Sequence, residues 1–165
     1  MTDKHPYDVM PLTDNGEFIF TPCPGTKATT LQDAISTLKQ AGTEMIISTN
    51  YDEELQRLDV ADLGEQVTAA GIRWHQLPIK DDAAPNQDFR IAFAAAINDI
   101  IAVLANNGTI AVHCKGGSGR TGLVIALIMK QLGYADQTII RSVQELRPKA
   151  LKNAEQLDFF EKFSL

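Results

Sequence analysis

Apolar positions along the chain alternate between two patterns. Glu17 to Phe20, Glu44 to Ser48 and Thr109 to His113 are short, mostly apolar runs bounded by polar or glycine residues, as expected of strands inside a sheet. Between them apolar residues recur at three- and four-residue spacing. Thr30 with Asp33 makes a capping box for a helix running to Gln40, and Gly42 stops it. A helix over Asp62 to Ala70 stops at Gly71, and Ile72 to Ile79 is extended. The longest helix starts at Asn86 or Asp88 and carries Phe89, Phe93, Ala96, Ile97, Ile100, Ile101 and Leu104 on one face. Thr121 to Leu132 is an almost wholly apolar helix, followed by helices over Ala135 to Arg147 and Asn153 to Phe163. This alternation predicts an α/β fold with a central, mostly parallel sheet flanked by helices on both faces.

The first fifteen residues, MTDKHPYDVMPLTDN, mix charge and proline with little periodicity, which predicts an irregular N-terminal arm over 1–15 and a single domain over 16–165. With 165 residues and 44% hydrophobic content the chain can bury one sizeable core, and no linker or internal repeat divides it. A net charge of -6 argues against nucleic-acid binding. No apolar run is long enough for a membrane span, and the N-terminus lacks a secretory signal, so no stable membrane insertion is expected. Two cysteines with no pairable framework suggest a reducing, cytoplasmic setting. The expected state is a monomer. Cys23, in TPCPG, reads as a small packed residue near a turn, with a reversible disulfide to Cys114 as the alternative.

The chemistry concentrates in HCKGGSGRTG, residues 113–122. Four of the eleven glycines fall here, so the backbone can curl tightly between the strand before it and the helix after it. Successive amides of such a loop, together with the positive end of the helix, form a cradle for a doubly charged anion, and phosphate is the expected guest. The spacing is not that of a nucleotide-binding GxxxxGK[ST] loop, so ATP is not expected there. A helix N-terminus and a nearby cation lower a thiol pKa by several units, which predicts a reactive thiolate at Cys114. Arg120 offers a planar fork to two phosphate oxygens, and His113 can donate to a backbone carbonyl and hold the loop's shape. The phosphate-binding loop is therefore assigned to His113, Lys115, Gly116, Gly117, Ser118, Gly119 and Arg120. A departing oxygen needs a proton, and LPIKDDAAPNQD supplies Asp81, Asp82 and Asp88 on a proline-broken loop, Asp88 fitting the first turn of the next helix.

HCKGGSGRT resembles the HCxxxxxR[ST] loop of the cysteine-dependent protein tyrosine and dual-specificity phosphatases. The resemblance is closest to the kinase-associated phosphatase branch: PGTK, LKQAGTEMII, the EL and DVADL strings, GIRWHQLPIKDDAAP and ALKNAEQLDFF follow in the same order. It implies Cys114 as nucleophile, Arg120 as phosphate clamp and Thr121 as the hydroxyl that helps the thiolate leave. It implies Asp81, after the Pro-Ile-x pattern, as general acid, with Asp82 as rival. Gln156 aligns with a glutamine that positions the hydrolytic water in some relatives, although a glutamine among Leu157, Phe160 and Phe163 also fits a hydrogen-bonded spacer. The implied activity is hydrolysis of phosphotyrosine or phosphoserine/threonine in proteins through a cysteinyl-phosphate, with no metal and no cofactor. The implied partner is a phosphorylated protein, a kinase among the candidates. Lys115 keeps a phosphoinositide or inositol phosphate as the alternative substrate, and a non-catalytic phosphoprotein-binding module is a second alternative.

Overall fold

The computed structural model describes residues 4–13 and 15–165. Five strands, β1 (Asp8–Pro11), β2 (Glu17–Thr21), β3 (Thr43–Ser48), β4 (Arg73–Gln76) and β5 (Thr109–His113), form one sheet in the order β1-β2-β5-β3-β4. Only β1 runs antiparallel, at the edge; the β2/β5, β5/β3 and β3/β4 pairs are parallel. Such a sheet is covered on both sides because its crossovers are helical. The described helices are α1 (Leu31–Gln40), α2 (Asp52–Arg57), α3 (Leu63–Ala69), α4 (Gln87–Ala105), α5 (Gly119–Gln131), α6 (Asp136–Leu146) and α7 (Ala154–Lys162).

Alternate strand residues face opposite sides. Phe18, Phe20, Met45, Ile47, Ile110 and Val112 meet Phe89, Phe93, Ile100 and the apolar side chains of α5, whereas Ile19, Ile46 and Ala111 meet Ile35, Leu38, Leu63 and Val67 from α1 and α3. Helix α5 is buried at every position from Arg120 to Met129, since the sheet lies on one side and α6 and α7 on the other. Gly122 permits that layer: a Cβ there would lie 2.7 Å from the Ala150 methyl and 3.1 Å from Val143.

Two elements depart from the sequence reading. The arm expected to be irregular contains β1, whose Val9 pairs with Ile19 while Met10 is buried. Four residues carry too little periodicity to announce a strand; the edge of β2 supplies the order. Just upstream, buried His5 meets the Thr21 hydroxyl through Nε2 at 2.6 Å. The second departure is α2, a single short helix between β3 and α3. The extended segment over 72–79 also contributes only Arg73–Gln76 to the sheet.

Candidate active site

The parallel arrangement brings the carboxyl ends of β2, β3 and β5 together, and residues 114–118 bridge β5 to α5 at that edge. Gly117 carries φ +82, and a Cβ there would lie 2.6 Å from the Thr21 carbonyl carbon, so the loop packs on the end of β2 in a shape that requires glycine. The Cys114 sulfur is buried and accepts hydrogen bonds from the Gly117 amide at 3.2 Å and the Thr121 hydroxyl at 3.3 Å. Both donors meet the sulfur at the amino end of α5.

Behind the loop lies a directional chain of hydrogen bonds. Trp74 Nε1 donates to Ser48 Oγ at 2.8 Å, and Ser48 Oγ lies 2.6 Å from His113 Nε2. The Cys114 carbonyl beside Nδ1 can only accept, so in the neutral ring the proton sits on Nδ1 and Nε2 accepts from the Ser48 hydroxyl. Nδ1 then donates to the Cys114 carbonyl at 3.1 Å. Burial pushes the His113 pKa down to about 4, against the partial support of the Cys114 carbonyl, so the ring is neutral near pH 7. Arg147 holds the other side of the loop: its Nε donates to the Gly117 carbonyl at 2.8 Å and its Nη1 pairs with Asp8 at 2.8 Å.

Arg120 is 2% exposed and is gripped by Glu54, with Nη1 to Oε1 at 2.6 Å and Nη2 to Oε2 at 2.9 Å, while Nη1 also donates to the Ile79 carbonyl at 3.1 Å. Burial raises the cost of ionising Glu54, but the hydrogen bonds and charge of Arg120 outweigh it and hold the carboxyl below its usual range. The Arg120 Nε is buried and has no partner among the described residues. An anion over Cys114 would satisfy it, so the guanidinium has a fixed protein side and a free donor.

Asp81 Oδ1 lies 3.5 Å from Arg120 Nη2 with its side chain 62% exposed. Asp82, at φ +60, also faces the cavity. Their loop is tied on both sides. The Leu77 and Ile79 amides donate to the Ser48 and Thr49 carbonyls, at 2.8 and 2.9 Å. Across the cavity, Asn153 Nδ2 reaches the Asp82 carbonyl at 3.4 Å and Gln156 Nε2 the Ala83 carbonyl at 3.0 Å. Gln156 is thus buried in the cavity wall and bonded to the acid loop. Asp88 stands in the first turn of α4 and accepts from the Tyr51 hydroxyl at 3.1 Å.

One cavity of about 380 Å³ gathers Cys114, Lys115, Gly116, Ser118, Gly119 and Arg120 from the loop, Asp81 and Asp82 from the acid loop, and Gln156 from α7. Thr121, Gly117 and His113 support it from behind. Glu54, Lys27, Lys149 and Asn153 were not singled out by the sequence reading. Glu54 falls within the EL string that carried the resemblance, but it sits on the short helix that periodicity missed. Cys23 is buried beside the loop, its amide donating to the Lys115 carbonyl at 3.1 Å, and burial first, then Glu54 and Cys114, push its thiol up to about 12. Among the described residues no group of three or more His, Cys, Asp or Glu is placed to hold a metal ion, and no helix is long and apolar enough to cross a membrane.

Known proteins share this fold and parts of this sequence. The chain is 29% identical over 137 residues to cyclin-dependent kinase inhibitor 3 of Sus scrofa, covering 81% of this chain and 63% of that protein. It is 38% identical over 76 residues to protein tyrosine phosphatase domain-containing protein 1 of Mus musculus, covering 43% of this chain and 10% of that protein. A crystal structure of kinase associated phosphatase, with its catalytic-site cysteine replaced by serine, superimposes with a TM-score of 0.87 at 22% identity, covering 99% of this chain and 96% of that one. Residues 23–134, the larger part of the chain, match the Tc-R-P family, described as "Polymorphic toxin system, DSP-PTPase phosphatase", and the protein belongs to this family of cysteine-dependent phosphatases.

Proposed function

We propose that the protein hydrolyses phosphate monoesters through a cysteinyl-phosphate intermediate. The observation that carries this reading is the pairing of a doubly hydrogen-bonded Cys114 sulfur with the unpartnered, buried Arg120 Nε in one cavity. In the first step the Cys114 sulfur forms a bond to phosphorus as the ester P–O bond breaks. Asp81 gives its proton to the departing oxygen, which leaves as an alcohol. In the second step water attacks phosphorus, Asp81 takes the water proton, and the S–P bond breaks to release phosphate. The Thr121 hydroxyl, already donating to the sulfur, stabilises the departing thiolate. Charge on the peripheral phosphoryl oxygens is met by the loop amides and by Arg120, whose orientation Glu54 fixes before substrate arrives.

Asp81 is preferred over Asp82 as the acid because its carboxylate lies beside the Arg120 guanidinium, where a bound phosphate would sit. The names of the relatives point to phosphorylated proteins, a kinase among them, as substrates or partners, and the reaction itself needs only a phosphoryl group on oxygen. The chain spans 63% or less of the two curated relatives described above, so those substrates reach this protein only by analogy. The decisive experiment uses an aryl phosphate. Cys114→Ser should abolish turnover while retaining vanadate or phosphate binding, and EDTA should leave wild-type turnover unchanged. Turnover that survives the substitution and is lost with EDTA would refute the mechanism.

A further inference from the structure

We infer that His5 is a positioning residue for the phosphate loop: its ring clamps the carboxyl end of β2, on which that loop packs, and so holds the amides around Cys114 in their anion-binding shape. The inference rests on the phosphate site proposed above and adds the amino-terminal arm to the parts that build it.

The burial of His5 is the first ground. Its neighbours Lys4, Pro6 and Tyr7 are exposed, whereas His5 itself is 1% exposed. An arm that needed only an anchor would bury an aliphatic side chain, without the cost of taking an imidazole out of water. Burial, against partial support from the Pro22 carbonyl, lowers the His5 pKa, so the ring is neutral near pH 7. The imidazole has a specific partner. Thr21 Oγ1 lies 2.6 Å from His5 Nε2, 2.8 Å from the Pro6 carbonyl and 3.3 Å from the Pro22 carbonyl. A carbonyl can only accept, so the hydroxyl donates to Pro6 and accepts from Nε2–H. The buried Nδ1, which has no partner among the described residues, is then a bare lone pair rather than an orphaned N–H. Two consecutive residues of the arm thus close on one hydroxyl.

What Thr21 supports is the second ground. It ends β2, lies opposite His113 of β5 in the sheet register and is fully buried. Gly117 sits so near that a Cβ there would come within 2.7 Å of both the Thr21 carbonyl oxygen and the Pro22 nitrogen. The Gly117 amide in turn donates to the Cys114 sulfur at 3.2 Å, and the Cys23 amide, two residues after Thr21, donates to the Lys115 carbonyl at 3.1 Å. Close-packed backbones transmit displacement, so a shift of Thr21 reaches the loop at both 115 and 117. The family match begins at residue 23, so His5 and the strand it holds lie outside the matched segment while the loop they support lies inside it.

The test joins a double-mutant cycle to readouts confined to the loop. His5→Leu keeps a buried anchor but removes the donor, Thr21→Val removes the hydroxyl, and His5→Gln offers an amide N–H in place of Nε2–H. On the Cys114→Ser background, calorimetric phosphate affinity should fall about tenfold or more with either of the first two substitutions and no further when they are combined. With His5→Gln it should stay within about threefold of the parent, because the donor is restored. Amide hydrogen exchange should quicken at residues 115–119 and stay unchanged in α3 and β4. Leucine would serve a purely structural anchor, so unchanged affinity and loop exchange in His5→Leu, or losses that add in the double variant, would overturn the inference. Should His5→Leu fail to fold, the Thr21→Val protein decides: a loop and an affinity indifferent to the lost hydroxyl refute the clamp. Affinity and exchange are read without turnover, so they decide on His5 even if the wild type fails to hydrolyse aryl phosphate.

Discussion

Arg120 can serve a phosphate because Glu54 has already taken the far side of its guanidinium, leaving Nε as the free donor. Removing one partner of a buried pair strands the other, so Glu54→Ala should destabilise the fold by about 3 kcal/mol in urea unfolding. Glu54→Gln, which keeps the shape, should cost less stability but still lower kcat/KM for aryl phosphate by about tenfold or more, since the fork loses its anchor. Because folding lowers the Glu54 pKa, its contribution is present above the usual carboxylate range and disappears as pH falls through its depressed value. His113 behaves similarly at higher pH. Its pKa falls on folding from 6.5 to about 4, so the neutral ring stabilises the fold fully above pH 6.5 and progressively less toward pH 4. Between pH 7.5 and 5 this should remove on the order of 2 kcal/mol from the wild type. Urea titrations should show that loss reduced in His113→Asn, and an equal loss in both proteins would contradict the assignment.

At the level of elements, the acid loop is held by three partners: β3 through backbone bonds, α5 through Arg120, and α7 through Asn153 and Gln156. Gln156 therefore acts first on the loop that carries Asp81. Gln156→Ala should speed amide hydrogen exchange at residues 81–84 and lower kcat several-fold with little change in KM, whereas loss of a water-positioning role alone would leave the exchange untouched. The sequence made most of this scaffold legible. Strands β2, β3 and β5 and helices α1, α4 and α5 are long or apolar enough for their periodicity to show, and Thr30, Asn86 and Asn153 cap their helices through local hydrogen bonds. The loop from His113 to Thr121 is legible because one contiguous segment provides the cysteine, the glycine-rich backbone and the arginine. What escaped is built from distant partners. β1 exists by pairing with β2, α2 is too short for an apolar stripe, and the contacts of Glu54 with Arg120 and of Trp74 with Ser48 join residues far apart in sequence.

Across the whole molecule, Arg147 joins three regions: the end of α6, the phosphate loop at Gly117 and the edge strand at Asp8. Asp8→Asn should cost under about 1 kcal/mol, as expected for an exposed partner. Arg147→Ala should cost about 2 kcal/mol and weaken phosphate binding as well, because the Gly117 carbonyl loses its donor. Calorimetric phosphate titrations of the two variants would separate the ion pair from the loop contact. The hydrogen-bond chain behind Cys114 has a practical outcome too. Trp74 is the chain's single tryptophan, and its indole is wired through Ser48 and His113 to the carbonyl of Cys114 itself. Nature has placed an optical gauge two residues away from Cys114, so ultraviolet emission from unlabelled protein should register the arrival of an oxyanion such as vanadate, and Ser48→Ala should silence the signal.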